Sequence, residues 1–519
     1  MDLGGTNRGG HFLTRRSVKN SRAVARGMTM KTEPMKWPSR MNPTDALFWF
    51  MDKIPEMRST IGALVILEGT PSRERMHQEF ERLSYFLPRM RQRVVEVPFS
   101  LAPPEWIEDP QFDLDYHMRT VAIPEPGGIE ELLTEMSPLY ATAFDRDRPL
   151  WEAYVAEGLL GGRGAVFIKM HHCMVDGVGG TRMFEALLRE QPEADPVPPT
   201  RVISGRSENP AALVWRALLY NVDEFIQGTA DVVGELWDTV RAPGRVVTDV
   251  GRALRTVTGF ARELGVSRAH SPLHQHRSLS RRLSTFEMSL LEIDAVRERL
   301  LATNNDIVLT IVCGAMHRWH TSRGADVREL RALVPVSIRG NDETALGNRI
   351  GLLAVPLPIG EPNPLMRLQA IQQRMDQIKA DRRARLYPLL ARVMTALPLN
   401  VAQRIGHQQT SRTNFVCTNV PGPKQACHFA GQLIERIYPY APLVGDHPVA
   451  IALYSYCDKV HVGLDIDPMS MDDLPHFRDA LQEAYDEVLS IGRQVDLRSR
   501  RRRPRRAGRA AAVQAKHAS

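Results

Sequence analysis

Two neighbouring histidines and an aspartate four residues past the second stand in the run His171-His172-Cys173-Met174-Val175-Asp176-Gly177. By type and spacing they are the side chains best suited to move a proton. An imidazole titrates near ~6.5, so around neutral pH it can take a proton from an alcohol while a nearby carboxylate orients the loop. The plainer alternative is that one or both histidines pack at a strand end. Cys173 invites a thiol nucleophile, but adjacent residues on an extended segment point to opposite faces, which separates it from His172. A metal held by His171, His172, Cys173 and Asp176 lacks the usual company, since the chain has no HExxH and no Cys-x-x-Cys. Gly177-Val178-Gly179-Gly180-Thr181 lacks the lysine and spacing of a phosphate loop, and no GxSxG elbow occurs.

These residues need a rigid mount. Ala165-Val166-Phe167-Ile168 reads as a buried strand, and the glycines at 177, 179 and 180 forbid its continuation. Residues 181–190 restore helical spacing through Met183, Phe184, Leu187 and Leu188. Strand, polar loop and helix together form the arrangement in which α/β folds present reactive side chains at the carboxyl end of a strand.

The rest of the chain gives that mount its setting. A length of 519 residues at 43% hydrophobic allows two or three domains with substantial cores. No run is long and apolar enough for a membrane span, and no apolar segment follows the basic N-terminus as in a secretory signal. Five scattered cysteines, at 173, 313, 417, 427 and 457, fit a reducing cytoplasm. The net charge of +7 divides unevenly: 1–40 holds nine Lys/Arg against two acids, and 498–519 nine against none. The body between them is therefore acidic, which argues against a nucleic-acid groove. The basic ends suit either an anionic lipid surface, at about 1 kcal/mol per Lys/Arg, or a solubilising tail with weak nucleic-acid contact.

In order, 1–40 reads as a disordered basic segment. Asn42-Pro43-Thr44-Asp45 caps a helix through Trp49 and Met51. A strand is predicted at 62–67, and a helix over 71–93 with Met76, Phe80, Leu83 and Leu87 on one face. Another helix spans 129–144. Prolines mark a linker at 193–200. A helical stripe over 211–264, with Trp215, Leu218 and Val222, suits either a membrane-surface element or a connecting helix packed on the body. From Leu283 a second α/β region follows. Its landmarks are a helix over 307–318, strands at 333–339 and 350–357, and a helix capped by Asn363-Pro364. A turn-dense loop at 418–423, a strand at 461–467 and a helix over 474–489 complete it. The domains so read are 41–200, a crossover at 201–284, 285–497, and a disordered basic tail at 498–519.

The ordered set of HHCMVDG at 171–177, Pro149-Leu150-Trp151, Asn305-Asp306, TNVPGP at 418–423, PTDALF at 43–48 and VPVSIRG at 334–340 resembles the bacterial wax ester synthase/acyl-CoA:diacylglycerol acyltransferase family. That family lies within the HxxxD CoA-dependent acyltransferases, and the likeness covers about 41–490. It implies an α/β fold of two chloramphenicol-acetyltransferase-like domains joined by a helical crossover, with a tunnel between them. The implied reaction transfers a fatty acyl group from acyl-CoA to diacylglycerol. The alternatives are a wax ester synthase using a long-chain alcohol, or a non-catalytic lipid-binding paralogue. His172 would be the general base, His171 would support its geometry, and Asp176 would hold the loop by pairing with Arg339. Gly177, Pro149, Leu150, Trp151, Asn305 and Asp306 would support the site. No metal or cofactor is implied, acyl-CoA being a substrate. The partners are acyl-CoA, the lipid alcohol and a peripheral membrane or lipid-body surface, without specific nucleic acid. The protein would be cytoplasmic. The long basic ends are not part of the resemblance.

Overall fold

Fourteen strands among the described residues make two six-stranded sheets and one ribbon. The computed structural model describes residues 37–175, 187–190, 209–222, 271–273, 277–337, 350–380, 404, 406–407 and 410–502. In chain order the strands are β1 (Thr60–Leu67), β2 (Gln92–Val95), β3 (Glu105–Glu108), β4 (Met118–Ala122), β5 (Trp151–Glu157), β6 (Gly164–His171) and β7 (Arg282–Ser289). There follow β8 (Leu330–Ser337), β9 (Ile350–Leu357), β10 (Phe415–Pro421), β11 (His428–Phe429), β12 (Gln432–Tyr440), β13 (Val449–Tyr456) and β14 (Lys459–Ile466). The first sheet runs β11-β12-β1-β6-β5-β4 and the second β7-β14-β13-β10-β8-β9, while β2 and β3 form the ribbon.

Every residue of β6 is buried, because helices cover both faces of the first sheet. On one face Phe167 and Ala165 meet Leu132, Leu133 and Met136 of the helix Ile129–Ala141. On the other, Val166 and Ile168 share a core with Trp49 and Phe80, from the helices Pro43–Met51 and Arg73–Phe86. Strand β6 therefore shows a continuous apolar run in place of alternation. Its one lysine, Lys169, is fully enclosed. The ammonium donates to Leu139 O, Thr142 Oγ1 and Glu152 Oε2 at 3.0, 2.9 and 3.1 Å, so it closes the carboxyl end of the 129–141 helix.

Strand β12 departs from a linear division of the chain. It lies within 285–497 by sequence, yet it pairs antiparallel with β1, Gly62 opposite Tyr440. The first sheet thus draws on chain from both sides of 201–284. The sheets abut where a Cβ at Gly463 of β14 would stand 1.7 Å from Pro439 O of β12, so only glycine fits there.

Four further differences from expectation have local causes. The second helix ends at Phe86, not near 93, because Leu87 precedes Pro88 and a residue before proline avoids helical ψ. The fold begins before Met41: Arg40 ion-pairs with Glu105, and Trp37 lies under the Arg89 guanidinium at 4.9 Å. TNVPGP is a strand as far as Pro421. Among the described residues β10 meets β8 at Phe415 and Val416, so Pro421 stands beyond that pairing, and Gly422 is needed because a Cβ would meet Ser455 O at 2.2 Å. The last helix, Leu474–Arg502, runs into the stretch expected to be a disordered tail; arginines are good helix formers, and their charge suits a helix's carboxyl end.

The 210–222 helix packs through Leu213 and Ala217. Trp215, Leu218 and Val222 face outward instead, at 63, 46 and 56% exposure. The rest of the predicted stripe, and most of the 201–284 crossover, lie outside the described residues.

Candidate active site

Strand β6 delivers His171, and a 3₁₀ turn from His172 to Met174 follows at once, ahead of the glycines that were expected to end the strand. Main-chain bonds fix the turn on both sides. His171 N–H donates to Leu150 O (2.9 Å), and His172 N–H to Ser59 O (2.8 Å). Val175 N–H returns to His172 O (3.1 Å), and Arg89 Nη1 donates to Cys173 O (3.3 Å). The guanidinium of Arg89 is itself held over the Trp106 ring at 4.4 Å.

The His171 ring is buried and works as a cap. Its Nδ1 accepts from Cys173 N–H (3.1 Å), which requires that nitrogen to be unprotonated. Nε2 then carries the proton and stands 3.1 Å from Asp52 Oδ1, away from ideal hydrogen-bond alignment and with no better-aligned partner. Asp52 lies at the carboxyl end of the Pro43–Met51 helix. Its Oδ1 also accepts from Ser59 N–H (3.3 Å), and its Oδ2 accepts from Arg146 Nη1 (3.2 Å). Burial alone would raise the Asp52 carboxyl, but His171 and Arg146 outweigh it and hold the group below the usual range.

The His172 ring lies against Phe48, ring centroids 4.3 Å apart. Its Nδ1 is enclosed without a hydrogen-bond partner, while the residue as a whole keeps partial exposure. Burial, with a smaller contribution from His171, brings its pKa down to about 4. The ring is thus neutral near pH 7, the state a general base needs. Cys173, by contrast, is wholly buried, and burial pushes its thiol well above the ordinary value. That disfavours the thiolate a nucleophile would require.

Pro149-Leu150-Trp151 falls beside the histidines. Leu150 O receives the His171 amide, and Trp151 donates from Nε1 to Met90 O (2.8 Å) between the rings of Phe80 and His117. Asn305 and Asp306 belong to the second half of the chain. They sit in the first turn of the helix Asn304–Ser322, where Asp306 Oδ2 accepts from the Thr303 amide and hydroxyl (2.9 and 2.7 Å) and Thr303 Oγ1 accepts from Asp306 N–H (3.2 Å). That is a reciprocal cap, and it supports a helix start. Asp176, Gly177 and Arg339 lie outside the described residues. Among the described residues, no three His, Cys, Asp or Glu side chains gather as a metal site.

Asp52, Ser59, Arg89 and Arg146 were not singled out from sequence. One signal for Asp52 existed: a carboxylate at the carboxyl end of a helix opposes the helix dipole and so calls for a cationic partner. Nothing in the sequence says which.

Comparison with known proteins places the chain in a family. The family described as wax ester synthase/diacylglycerol acyltransferase catalytic domain matches residues 41–308, and the WS/DGAT C-terminal domain matches 346–488. The O-acyltransferase WSD of Acinetobacter baylyi is 31% identical over 410 residues, 76% of this chain and 85% of that protein. A Mycobacterium tuberculosis H37Rv protein described as a diacylglycerol O-acyltransferase is 29% identical over 472 residues, 89% of this chain and 94% of its own. In fold, the chain is similar to the wax ester synthase/diacylglycerol acyltransferase of Marinobacter aquaeolei VT8, with TM-score 0.59 and 24% identity over 87% of this chain and 99% of that one. It is also similar to the first condensation domain of the calcium-dependent antibiotic synthetase, with TM-score 0.54 and 15% identity over 87% and 96%. The chain belongs to the wax ester synthase/diacylglycerol acyltransferase family, a family of acyltransferases.

Proposed function

We propose that the protein transfers a fatty acyl group from acyl-CoA to diacylglycerol, forming triacylglycerol, with His172 as the general base. The acceptor hydroxyl gives its proton to His172 as its oxygen bonds to the thioester carbonyl carbon. The C–S bond then breaks, and the departing CoA thiolate takes the proton back from the imidazolium, leaving free CoA. A thioester is already activated, so one positioned base in a passage between the two halves suffices, without metal or redox cofactor. The observation that carries this reading is a neutral imidazole, on a partly exposed residue, in a turn whose amides at 171, 172, 173 and 175 are all hydrogen-bonded. Asp176 and Arg339, from either half, would pair to hold the loop beyond Val175. Pro149, Leu150 and Trp151 act by seating the end of β6.

Transfer to a long-chain alcohol, giving a wax ester, is the second reading, favoured by the family description, which names wax ester synthase beside diacylglycerol acyltransferase. Contact with an anionic membrane or lipid-body surface belongs to the same proposal. No helix among the described residues is long and apolar enough to cross a membrane. However, Trp215, Leu218, Leu219 and Val222 stand exposed on one helix. Phe99, at 91% exposure, is on the neighbouring turn, which Asn221 reaches through a bond from Nδ2 to Leu101 O (2.8 Å).

The test is purified protein with radiolabelled long-chain acyl-CoA, offered diacylglycerol and a long-chain alcohol separately, with the lipids resolved by chromatography. Labelled triacylglycerol is expected, and His172→Ala should abolish it while the protein stays folded. Near-normal turnover by that variant rejects the base; wax ester as the sole product selects the second reading.

A further inference from the structure

We infer that Asp52 is a positioning residue for His172, acting through the His171 ring and through Ser59 to fix the turn on which the base is carried. This rests on the reading of His172 as the base. One oxygen, Asp52 Oδ1, faces two routes to the same turn. By the first, it stands 3.1 Å from His171 Nε2, and the opposite nitrogen of that ring accepts the Cys173 amide. By the second, it accepts the Ser59 amide, and the Ser59 carbonyl accepts the His172 amide. The peptide amides on both sides of the His172 α-carbon are therefore oriented from a single carboxylate. Arg146 holds the other oxygen; it is anchored over the Trp49 ring at 3.4 Å and bonded to Trp49 O (3.3 Å).

The first route depends on a tautomer. His171 can receive the Cys173 amide only while Nδ1 is bare, so the ring proton must sit on Nε2. Nε2 is buried, and Asp52 Oδ1, 3.1 Å away though off ideal alignment, is the acceptor that faces it among the described residues. A buried N–H with no acceptor facing it is costly, so without Asp52 the ring gains by moving its proton to Nδ1. That sets an N–H against the Cys173 amide and loosens the turn. Displacing a base by ~1 Å can cost about 100-fold in rate.

Leucine at 52 keeps roughly the volume and removes both acceptors. Asparagine keeps one oxygen, which can accept from His171 and Ser59; its NH₂ then faces the Arg146 guanidinium, donor to donor, so Arg146 must lean instead on Glu96 Oε1, 3.5 Å away. The experiment compares Asp52→Leu and Asp52→Asn in the full chain, using palmitoyl-CoA with the acceptor that the unaltered protein uses. Histidine ¹⁵N spectra are recorded alongside, the His171 signal being assigned by its loss in His171→Gln. Asp52→Leu is expected to lower kcat by about 10- to 100-fold with KM within twofold, and to shift His171 Nδ1 away from its unprotonated signature. Asp52→Asn is expected to restore most of both. A kcat within twofold of normal in Asp52→Leu, an unchanged His171 tautomer, or equal losses in the two variants overturns the inference. The His171 spectrum does not depend on turnover. If His172→Ala stays active, the base assignment fails while the Asp52–His171 link is still judged by its own signal.

Discussion

Acidification separates a buried base from an ordinary one. A solvent-exposed histidine titrates near ~6.5, and burial lowers His172 to about 4. Because the residue keeps partial exposure, about 4 is the lower end of what burial can achieve. At pH 5.5 a base of pKa about 4 is roughly 97% neutral, whereas one of about 6.5 is roughly 9% neutral. The two cases differ about tenfold in competent enzyme. The assay is kcat/KM from pH 4.5 to 8, which reports the free enzyme's base. The expected profile is flat from pH 8 to below 6, with its acid limb under about 5. A half-maximum near pH 6.5 would refute the argument that burial sets this base. Folding must be followed over the same range, because the shift also bears on stability. The folded-state value lies below the unfolded one, so this group's stability is complete above ~6.5 and is lost as pH falls toward about 4, by up to ~3 kcal/mol. His172→Gln should therefore resist acid better than the unaltered protein, by thermal melts at pH 5 set against pH 8.

Other positions give independent checks. Cys173→Ala should keep activity within about threefold, since its buried thiol takes no part; loss beyond 100-fold with normal melting would return Cys173 to the chemistry. Trp151→Ala should cost about 3–5 kcal/mol in denaturant unfolding, from its enclosed ring and the orphaned Met90 carbonyl; a cost under 1 kcal/mol contradicts the packing described. Gly463→Ala should be comparably damaging, because its methyl would enter the Pro439 carbonyl where the sheets meet; a normal melting temperature rejects that contact. Burial raises Asp465 to about 6 despite Arg281 and Arg277, so this group's stability is present below ~4 and lost as pH rises through about 6. Asp465→Asn should accordingly gain stability relative to the unaltered protein at pH 8 and not at pH 4; equal effects at both would show the carboxyl to be ionised throughout.

Much of the site's core could be read from residue types, because its parts are contiguous. His171 and His172 stand at the end of an apolar run, and the strand lies where the run lies. Asn42 caps its helix through a bond from the Asp45 amide, as its spacing indicates. What could not be read is whatever depends on elements meeting across the chain. Asp52 ends one helix, Arg146 follows another, and Ser59 precedes β1; only the folded arrangement makes them neighbours of His171. Asp306 shows the converse. Its place in an ordered set of landmarks says nothing of its local work, whereas Thr303 three residues earlier marks it as half of a helix cap. The helical stripe at Trp215, Leu218 and Val222 had the right period, but a period does not say which face packs when both are apolar.

The exchanged strand explains why residues far along the chain matter to the base. Strand β12 pairs with β1, and β1 pairs with β6 so that Thr60 stands opposite His171. Residue 59, one step before that register, supplies the carbonyl that receives the His172 amide. The position of β1 is thus set from one side by the strand that carries the histidines and from the other by a strand of the second half. A slip of β12 by one residue would turn Ile434, Ile437 and Tyr440 out of the cores they fill, so its register is strongly specified. It follows that the first half expressed alone should lose the support of β1. With β12 absent, β1 becomes an open edge, and the Ser59 and Asp52 contacts lose their backing. Histidine ¹⁵N spectra of residues 37–200, set against those of the full chain, would show it: the Nε2-protonated His171 signal should vanish from the fragment, and its persistence would mean that β1 is held without the second half.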